Sequence, residues 1–343
     1  MSIYNDIIAP KEVAVLTTKE RILALLEENK GIYFSGEQLA KELQISRTAV
    51  WKAINTLRQD GYNIDALSNK GYCLSKNTDI LSVQGIKKYL NHDCNNELEV
   101  HSQVTSTNDL LREKEVTGIC EGYTVIANCQ TKGKGRNGRV FYSPSDSGIY
   151  MSILLRPQNF KAYESAKITT MAAVAVCEAI EEETQENVGI KWVNDIYMQN
   201  KKVCGILTEA SLGLENGLLD YVIVGIGMNI YQPKGGFPND IKEIAGSLLE
   251  KSKDDVKNRM VARILNKFMN YYYHGDEYEY IKKYRDHSCV IGKPIQIILP
   301  NQQRYAKVSD IDDHCRLIVR YENGEIEKLS SGEISIRLDK KNT

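Results

Sequence analysis

Apolar positions in the first quarter of the chain follow a helical period and then give way to alternation. Arg21-Ile-Leu-Ala-Leu-Leu26 opens with hydrophobic residues at helical spacing. Leu39, Ala40, Leu43, Ile45, Val50, Ile54 and Leu57 form one apolar set spread over two segments, Gly36 to Ser46 and Arg47 to Arg58. Ser46 has the hydroxyl to cap the second segment, and Asp60-Gly61 ends it. Tyr62 to Leu74 then reads as a two-stranded hairpin turning at Asn69-Lys70-Gly71. This order predicts a winged helix-turn-helix over 1–80. Its second helix turns Arg47, Thr48, Trp51, Lys52, Asn55 and Arg58 outward with no acidic residue among them, a surface suited to DNA. Winged helices also serve as protein-interaction modules, so the architecture alone does not decide the partner.

Beyond residue 80 the texture is mixed. Strand-like runs lie at Leu98 to His101, Tyr123 to Cys129, Gly189 to Tyr197, Lys201 to Glu209 and Tyr221 to Ile230. A long amphipathic helix is expected from Tyr163 to Glu186, with Ile168, Met171, Ala172, Ala175, Val176, Ala179 and Ile180 on one stripe and Glu181 to Glu183 as a solvated end. A second helical zone covers Asp254 to Tyr284. From Gly292 onward come short strands at Pro294–Leu299, Arg304–Ile311, Leu317–Tyr321, Glu325–Leu329 and Ile334–Leu338, with turns at Pro300-Asn301, Asp312-Asp313 and Asn323-Gly324. The expected fold class is α+β: the winged helix-turn-helix (1–80), a central mixed-sheet α/β domain (81–288) and a small SH3-like barrel (289–343).

Charge adds a restriction. Lys plus Arg total 44 against 45 acids, so DNA binding rests on one helix rather than on a bulk basic field. Few phosphate contacts per copy are then expected, and useful affinity needs two copies on a two-fold site. No apolar run is long enough to span a bilayer, and Met1-Ser-Ile-Tyr-Asn-Asp is acidic where a signal peptide is basic. Eight scattered cysteines without a CxxC motif fit reduced thiols in the cytoplasm, and five histidines make no metal-ligand cluster. No protein-built metal site and no membrane partner are expected.

The densest chemistry lies at Thr131-Lys-Gly-Lys-Gly-Arg-Asn-Gly-Arg139, which packs three glycines and four cations into nine residues. Glycines let backbone approach a ligand, and the cations supply charge-assisted donors for phosphate or carboxylate oxygens. Gly133, Gly135 and Gly138 satisfy G-x-G-x-x-G, yet Val140 to Gly148 is rich in turn residues where a dinucleotide site needs a helix. No Gly-Lys-Ser/Thr follows, which excludes a Walker loop. A flexible basic surface loop is the plain alternative. Downstream, Lys191, Trp192, Asn194 and Asp195 crowd one strand end. Gly225 and Gly227 interrupt an apolar strand that ends at Asn229, and such glycines mean that something sits tight against the backbone. Ser106-Thr107-Asn108 reads as a helix N-terminus whose side chains could equally face a ligand.

These four pieces, in this order and spacing, resemble the biotin–protein ligase family. The family loop GRGRxGRxW is similar to Gly133-Lys-Gly-Arg-Asn-Gly-Arg139 with Phe141 at the aromatic position, and KWPND is similar to Lys191-Trp-Val-Asn-Asp195. Lys134 stands where arginine is usual and Val193 where proline is usual. The resemblance implies an ATP-dependent, Mg²⁺-assisted ligase that makes biotinyl-5′-AMP and transfers biotin to a lysine of a biotin carboxyl carrier protein. It implies that Ser106, Thr107, Asn108, Gln130, Lys134, Gly135, Arg136 and Lys202 bind biotin, and that Arg136, Arg139, Asn194 and Asn229 bind nucleotide. Lys202, Arg136 and Asp195 would be catalytic, with Asp195 serving either the acceptor lysine or the metal. Trp192 would wall the apolar chain of the ligand, unless it is simply core.

Family members with such an N-terminal domain repress biotin synthesis or uptake operons with the adenylate as corepressor. The chain is therefore expected to bind operator DNA as a homodimer formed when adenylate is bound. Two rivals stay open. A metabolite sensor would bind without catalysis, and a lipoate ligase would not need the polar set at Ser106 to Asn108 and Gln130.

Overall fold

The computed structural model describes residues 16–94, 96–158, 160–161, 164–213, 218–299, 302–330 and 333–336. Of the expectations above, those on Met1 to Asp6, Tyr163, the turn Pro300-Asn301 and positions Arg337 and Leu338 lie outside the described residues. The chain divides into two compact units, Met1–Ile80 and Leu81–Thr343.

The first unit contains helices α1 (Thr18–Glu28), α2 (Gly36–Glu42) and α3 (Arg47–Gln59), then the antiparallel hairpin β1 (Ile64–Leu67) and β2 (Gly71–Leu74). Each helix start follows from its cap. Thr17 and Ser35 form reciprocal capping boxes with Glu20 and Gln38, and the Ser46 hydroxyl accepts from Ala49 N at 3.1 Å. The hairpin closes through positive φ at Asn69 and Gly71; a Cβ at Gly71 would lie 2.1 Å from the Phe34 carbonyl. Ile22, Leu26, Leu39, Val50, Ile54, Leu57 and Leu74 are fully buried together. Arg47, Thr48, Trp51 and Lys52 are exposed on α3 and Asn55 is half-buried. Arg58 is exposed as well, and its Nε and Nη2 donate to the Ile64 carbonyl at 2.9 and 2.6 Å, which also braces helix against hairpin.

The second unit begins with α4 (Val83–Lys87), capped by the Ser82 hydroxyl on Gly85 N; its five residues carry no periodic signal. Next come β3 (Leu98–His101), α5 (Thr107–Glu115), β4 (Thr124–Ala127), β5 (Gly148–Leu155) and α6 (Ser165–Thr184). Strands β6 (Gly189–Lys191), β7 (Asp195–Met198), β8 (Lys201–Leu212) and β9 (Leu219–Asn229) complete a seven-stranded sheet of order β3-β4-β5-β9-β8-β7-β6. Only β3 and β4 run parallel among its pairs. Helix α6 packs against the sheet and against α7 (Val256–His274) and α8 (Glu277–Asp286). It is buried on every side from Ile168 to Cys177, so it is a central helix rather than a striped surface one. Its acidic end is not merely solvated. The Glu183 carboxylate receives Arg259 at 2.7 Å and Arg263 at 2.5 Å and is nearly buried.

Strands β10 (Pro294–Leu299), β11 (Gln302–Ile311), β12 (Leu317–Arg320), β13 (Ile326–Leu329) and β14 (Glu333–Ile336) form an antiparallel sheet of order β13-β12-β11-β10-β14. Its Ile295, Ile297, Val308, Leu317 and Val319 share one core with α6. Among the described residues no helix is long and apolar enough to cross a membrane.

Leu57 has no exposed surface, and its cluster includes no residue of the second unit. Leu57→Ala is expected to destabilise the first unit by about 2–5 kcal/mol. Urea unfolding of the full chain should show one transition moving to lower denaturant while the other holds its midpoint.

Candidate active site

The cleft floor follows from strand register. Tyr150, Gly227, Gly205 and Asp195 are partners across β5, β9, β8 and β7, and Ser152, Gly225 and Leu207 are partners one step along. Cross-strand partners and positions two apart share a face, so all seven point to one side of the sheet. At three of them there is no side chain. A Cβ at Gly225 would lie 2.2 Å from Asn108 Oδ1, and one at Gly227 would lie 2.6 Å from the Phe141 ring. Gly205 faces both Phe141 and the Lys202 ammonium, each 3.3 Å from where its Cβ would be.

Lys202 reaches this face through a β-bulge. Lys202 and Gly205 are three apart, which in a regular strand puts them on opposite faces. Pairing runs Asp195↔Gly205, Ile196↔Cys204 and then Tyr197↔Lys202, which leaves Val203 as the extra residue. The bulge reverses parity, sends Val203 into the core and places Lys202 Nζ 2.6 Å from Asp195 Oδ1. The Lys202 backbone is pinned as well, with its N–H on the Ile244 carbonyl and its carbonyl taken by Gly246 N. Asn229 Nδ2 donates to the Gly246 carbonyl at 3.0 Å, fixing that segment beside the cleft.

The cation-rich loop folds back on itself as a flap. Phe141 N donates to Gly133 O and Gly135 N to Arg139 O, and positive φ at Asn137 and Gly138 turns the tip. Its side-chain contacts include Arg136 Nη1 on Asn194 Oδ1 at 3.0 Å and Lys134 Nζ on Asp109 Oδ1 at 2.5 Å. Asn194 is held in turn by Ile206, through Nδ2 on its carbonyl and the return bond from its N–H.

Ser106 occupies the cap position of α5, yet its hydroxyl makes no capping bond. It is buried and lines the cleft. Gln130 Oε1 accepts from Thr107 N at 2.9 Å and Thr107 Oγ1 at 3.2 Å. Asn108 is buried with Nδ2 donating to Glu209 Oε2 at 2.6 Å, while Ser152 Oγ lies 2.6 Å from its Oδ1. A carboxylate only accepts, so this contact fixes which way the amide points.

The resulting cleft has a volume of about 380 Å³, within the usual range for small-molecule sites. Every residue singled out for catalysis, biotin or nucleotide lines it, from Ser106, Thr107, Asn108 and Gln130 through Lys134, Gly135, Arg136 and Arg139 to Asn194, Asp195, Lys202 and Asn229. Trp192 both lines it and belongs to the core, with its indole N–H on the Cys315 carbonyl at 2.9 Å. Asp195 is the one carboxylate, and no histidine or cysteine contributes, among the described lining residues. Cys204, behind the floor, is no nucleophile, because burial pushes its thiol well up despite nearby Lys202. Among the described residues no three His, Cys, Asp or Glu side chains gather as a metal site. The arrangement suits catalysis by positioning and cationic charge. Sequence reading missed Asp109, Arg112, Ser152 and Glu209; Glu209, in phase with Gly205 and Leu207, carried a parity signal that was usable only with the strand's facing known.

Three family models match in the order of the fold. An HTH domain covers 18–73, the biotin/lipoate A/B protein ligase family 99–229, and the biotin protein ligase C terminal domain 290–337. The bifunctional ligase/repressor BirA of Bacillus subtilis (strain 168) is 33% identical over 93% of this chain and 99% of its own length. The chain belongs to the biotin protein ligase family. Escherichia coli (strain K12) BirA, also a bifunctional ligase/repressor, is 26% identical over 94% of this chain and 98% of its own. Among solved structures, biotin protein ligase from Aquifex aeolicus in complex with biotin and ATP superposes with a TM-score of 0.58 at 30% identity, covering 70% of this chain and 98% of that one. As a biotin protein ligase, this chain explains one of its own departures. The lysine at 134 is spent on Asp109, a contact that needs one point charge rather than an arginine fork. The Trp192–Val193 peptide is cis.

Gly225→Ala should displace Asn108, because its Cβ would overlap Oδ1 and the amide has three partners holding it. Biotin affinity measured by calorimetry is expected to fall roughly tenfold or more, the loss of one buried polar contact being worth about 1–3 kcal/mol, with the far-UV spectrum unchanged.

Proposed function

We propose that the cleft joins biotin to ATP and passes the biotinyl group to a lysine of a biotin carboxyl carrier protein. In the first step a biotin carboxylate oxygen bonds to the α-phosphorus, pyrophosphate leaves, and biotinyl-5′-adenylate forms. In the second the lysine nitrogen bonds to the acyl carbon and AMP leaves with the electron pair of the broken C–O bond. Both partners of the first step are anionic, so cations and alignment matter more than a protein nucleophile. The observation that carries this reading is the convergence, over one glycine floor, of Arg136 and Lys202 with the buried amide of Asn108 and the half-buried amide of Gln130.

Arg136, Arg139, Asn194 and Asn229 would hold the nucleotide, and Lys134 with Arg136 would lie on the biotin side. Ser106, Thr107, Asn108, Gln130 and the backbone at Gly135 would satisfy the biotin head group, whose polar atoms cost about 1–3 kcal/mol each if buried unpaired. Lys202 would sit on the biotin carboxylate and later polarise the acyl carbonyl. When it moves onto that carboxylate it leaves Asp195, which can then take the proton released by the acceptor amine or hold the metal that accompanies ATP. Mg²⁺, when bound, neutralises phosphate charge. Its need for few protein carboxylates fits a cleft whose described lining offers one, Asp195. The buried polar set disfavours lipoate, whose ring has nothing for Asn108 or Gln130 to bond.

The domain scheme that goes with this reading is 1–80 for DNA, 81–288 for catalysis and 289–343 as the SH3-like module. Arg47, Thr48, Trp51, Lys52, Asn55 and Arg58 would meet operator DNA, with two copies brought together when adenylate is bound.

Lys202→Ala is expected to cut carrier biotinylation roughly 100- to 1000-fold, the size of losing one oxyanion contact, with Arg136→Ala shortening adenylate retention. Incubation with ATP, a carrier domain and either biotin or lipoate, read by carrier mass, tests both residues and the ligand; a wild-type rate for either variant removes that residue from the mechanism. Sedimentation should show mass doubling with biotinyl-AMP, and an unchanged mass would defeat ligand-driven dimerisation.

A further inference from the structure

The flap's second attachment is not explained by ligand chemistry. Lys134 Nζ lies 2.5 Å from Asp109 Oδ1, a residue on the first turn of α5 and next in sequence to Asn108. That carboxylate is itself held, since Arg112 Nη1 donates to the same oxygen at 2.9 Å. Arg112 Nη2 reaches Glu209 Oε2 at 2.9 Å, and the same Glu209 oxygen accepts from Asn108 Nδ2. An unbroken polar chain thus runs from the flap through Asp109, Arg112 and Glu209 to the amide of Asn108. The flap spans a hollow whose far wall includes Leu207 and Glu209.

We propose that Asp109 is a positioning residue, the post on which the flap docks, and that its ion pair with Lys134 sets how often the flap stands open. The pair is partly exposed, with the lysine at 42% and the aspartate at 27% of full side-chain accessibility. It is therefore modest in strength, which suits a latch that opens for substrate entry better than a permanent clasp. Bracing by Arg112 spares the aspartate the entropy of being held by the lysine alone. The inference rests on the reading that the flap covers the acyl-adenylate, but its test does not.

Limited trypsin digestion of the full-length protein without ligand reads the open population directly, through cleavage after Arg136 and Arg139, as long as closing is fast relative to cleavage. Asp109→Asn and Lys134→Gln should each raise that rate roughly two- to fivefold, the span of a partly exposed ion pair. The double variant should be no faster than either single one, because both remove the same contact. Wild-type rates in the single variants, or rates that multiply in the double, overturn the proposal. If Asp109→Asn lowers the melting temperature, Lys134→Gln, a change on an exposed loop side chain, carries the test. Release of pre-formed biotinyl-adenylate is then timed in Asp109→Asn, which keeps the Lys134 charge in the cleft. Release that quickens in step supports the latch and its cover role together. Faster cleavage with unchanged release keeps the latch and defeats only the reading that the flap covers the adenylate.

Discussion

Two side chains, Asn108 and Phe141, lie against sheet positions with room for a hydrogen and nothing larger, and the site depends on that close approach. Asn108 Oδ1 fills the space over Gly225, and the Phe141 ring covers Gly227 and Gly205. A methyl at Gly225 or Gly227 would collide with them, because interiors are packed without slack. The consequence runs in both directions along the chain. Seating Asn108 fixes the start of α5, which puts Ser106 and Thr107 at the cleft and Asp109 beneath the flap. Seating Phe141 fixes the end of the flap, and the ring's edge-on contact with Tyr150 holds it there.

Polar satisfaction does the rest of the positioning. A buried amide left unpaired costs about 1–3 kcal/mol, and Asn108 escapes that through Ser152, Glu209 and the Leu207 carbonyl. Gln130 does so through Thr107 on one side and Ser143 on the other. Because each amide is already held by its neighbours, it lines the cleft in a fixed orientation. Preorganisation of this kind lowers the cost of binding a compact polar head group.

Much of this was legible before any coordinates. Apolar period placed α1 and α2, and period together with the Ser46 hydroxyl placed α3. Strand-interior glycines signalled a close neighbour, although the neighbours are Asn108 and Phe141 of the same chain. What stayed hidden was set by long-range geometry. Nothing in Lys201-Lys-Val-Cys-Gly reveals that Val203 is bulged, yet without it Lys202 would face away from Asp195. Glu209 is 101 positions from Asn108 and joins it only because the sheet brings α5 over β8. Glu183 counted as solvated until α7 brought two arginines to it. A charged side chain's partner is a property of the fold rather than of its neighbours in sequence.

The flap's composition follows from having to do two opposed things. Ordering a loop costs about 1–2 kcal/mol per residue in backbone entropy, and glycine loses the most. Three glycines therefore make the open state cheap to visit. Its own backbone bonds and the attachments at Asn194 and Asp109 offset part of that cost without removing it. A bound adenylate that engaged Arg136 and Arg139 would supply the remainder, so occupancy and order would rise together. A rigid flap could not do this, since a ligand shifts only an equilibrium whose two states it binds unequally. If, as proposed, a second copy recognises surface that the acyl-adenylate orders, the same balance would link catalysis to regulation, and a DNA-reading helix with few cations would gain from arriving in pairs.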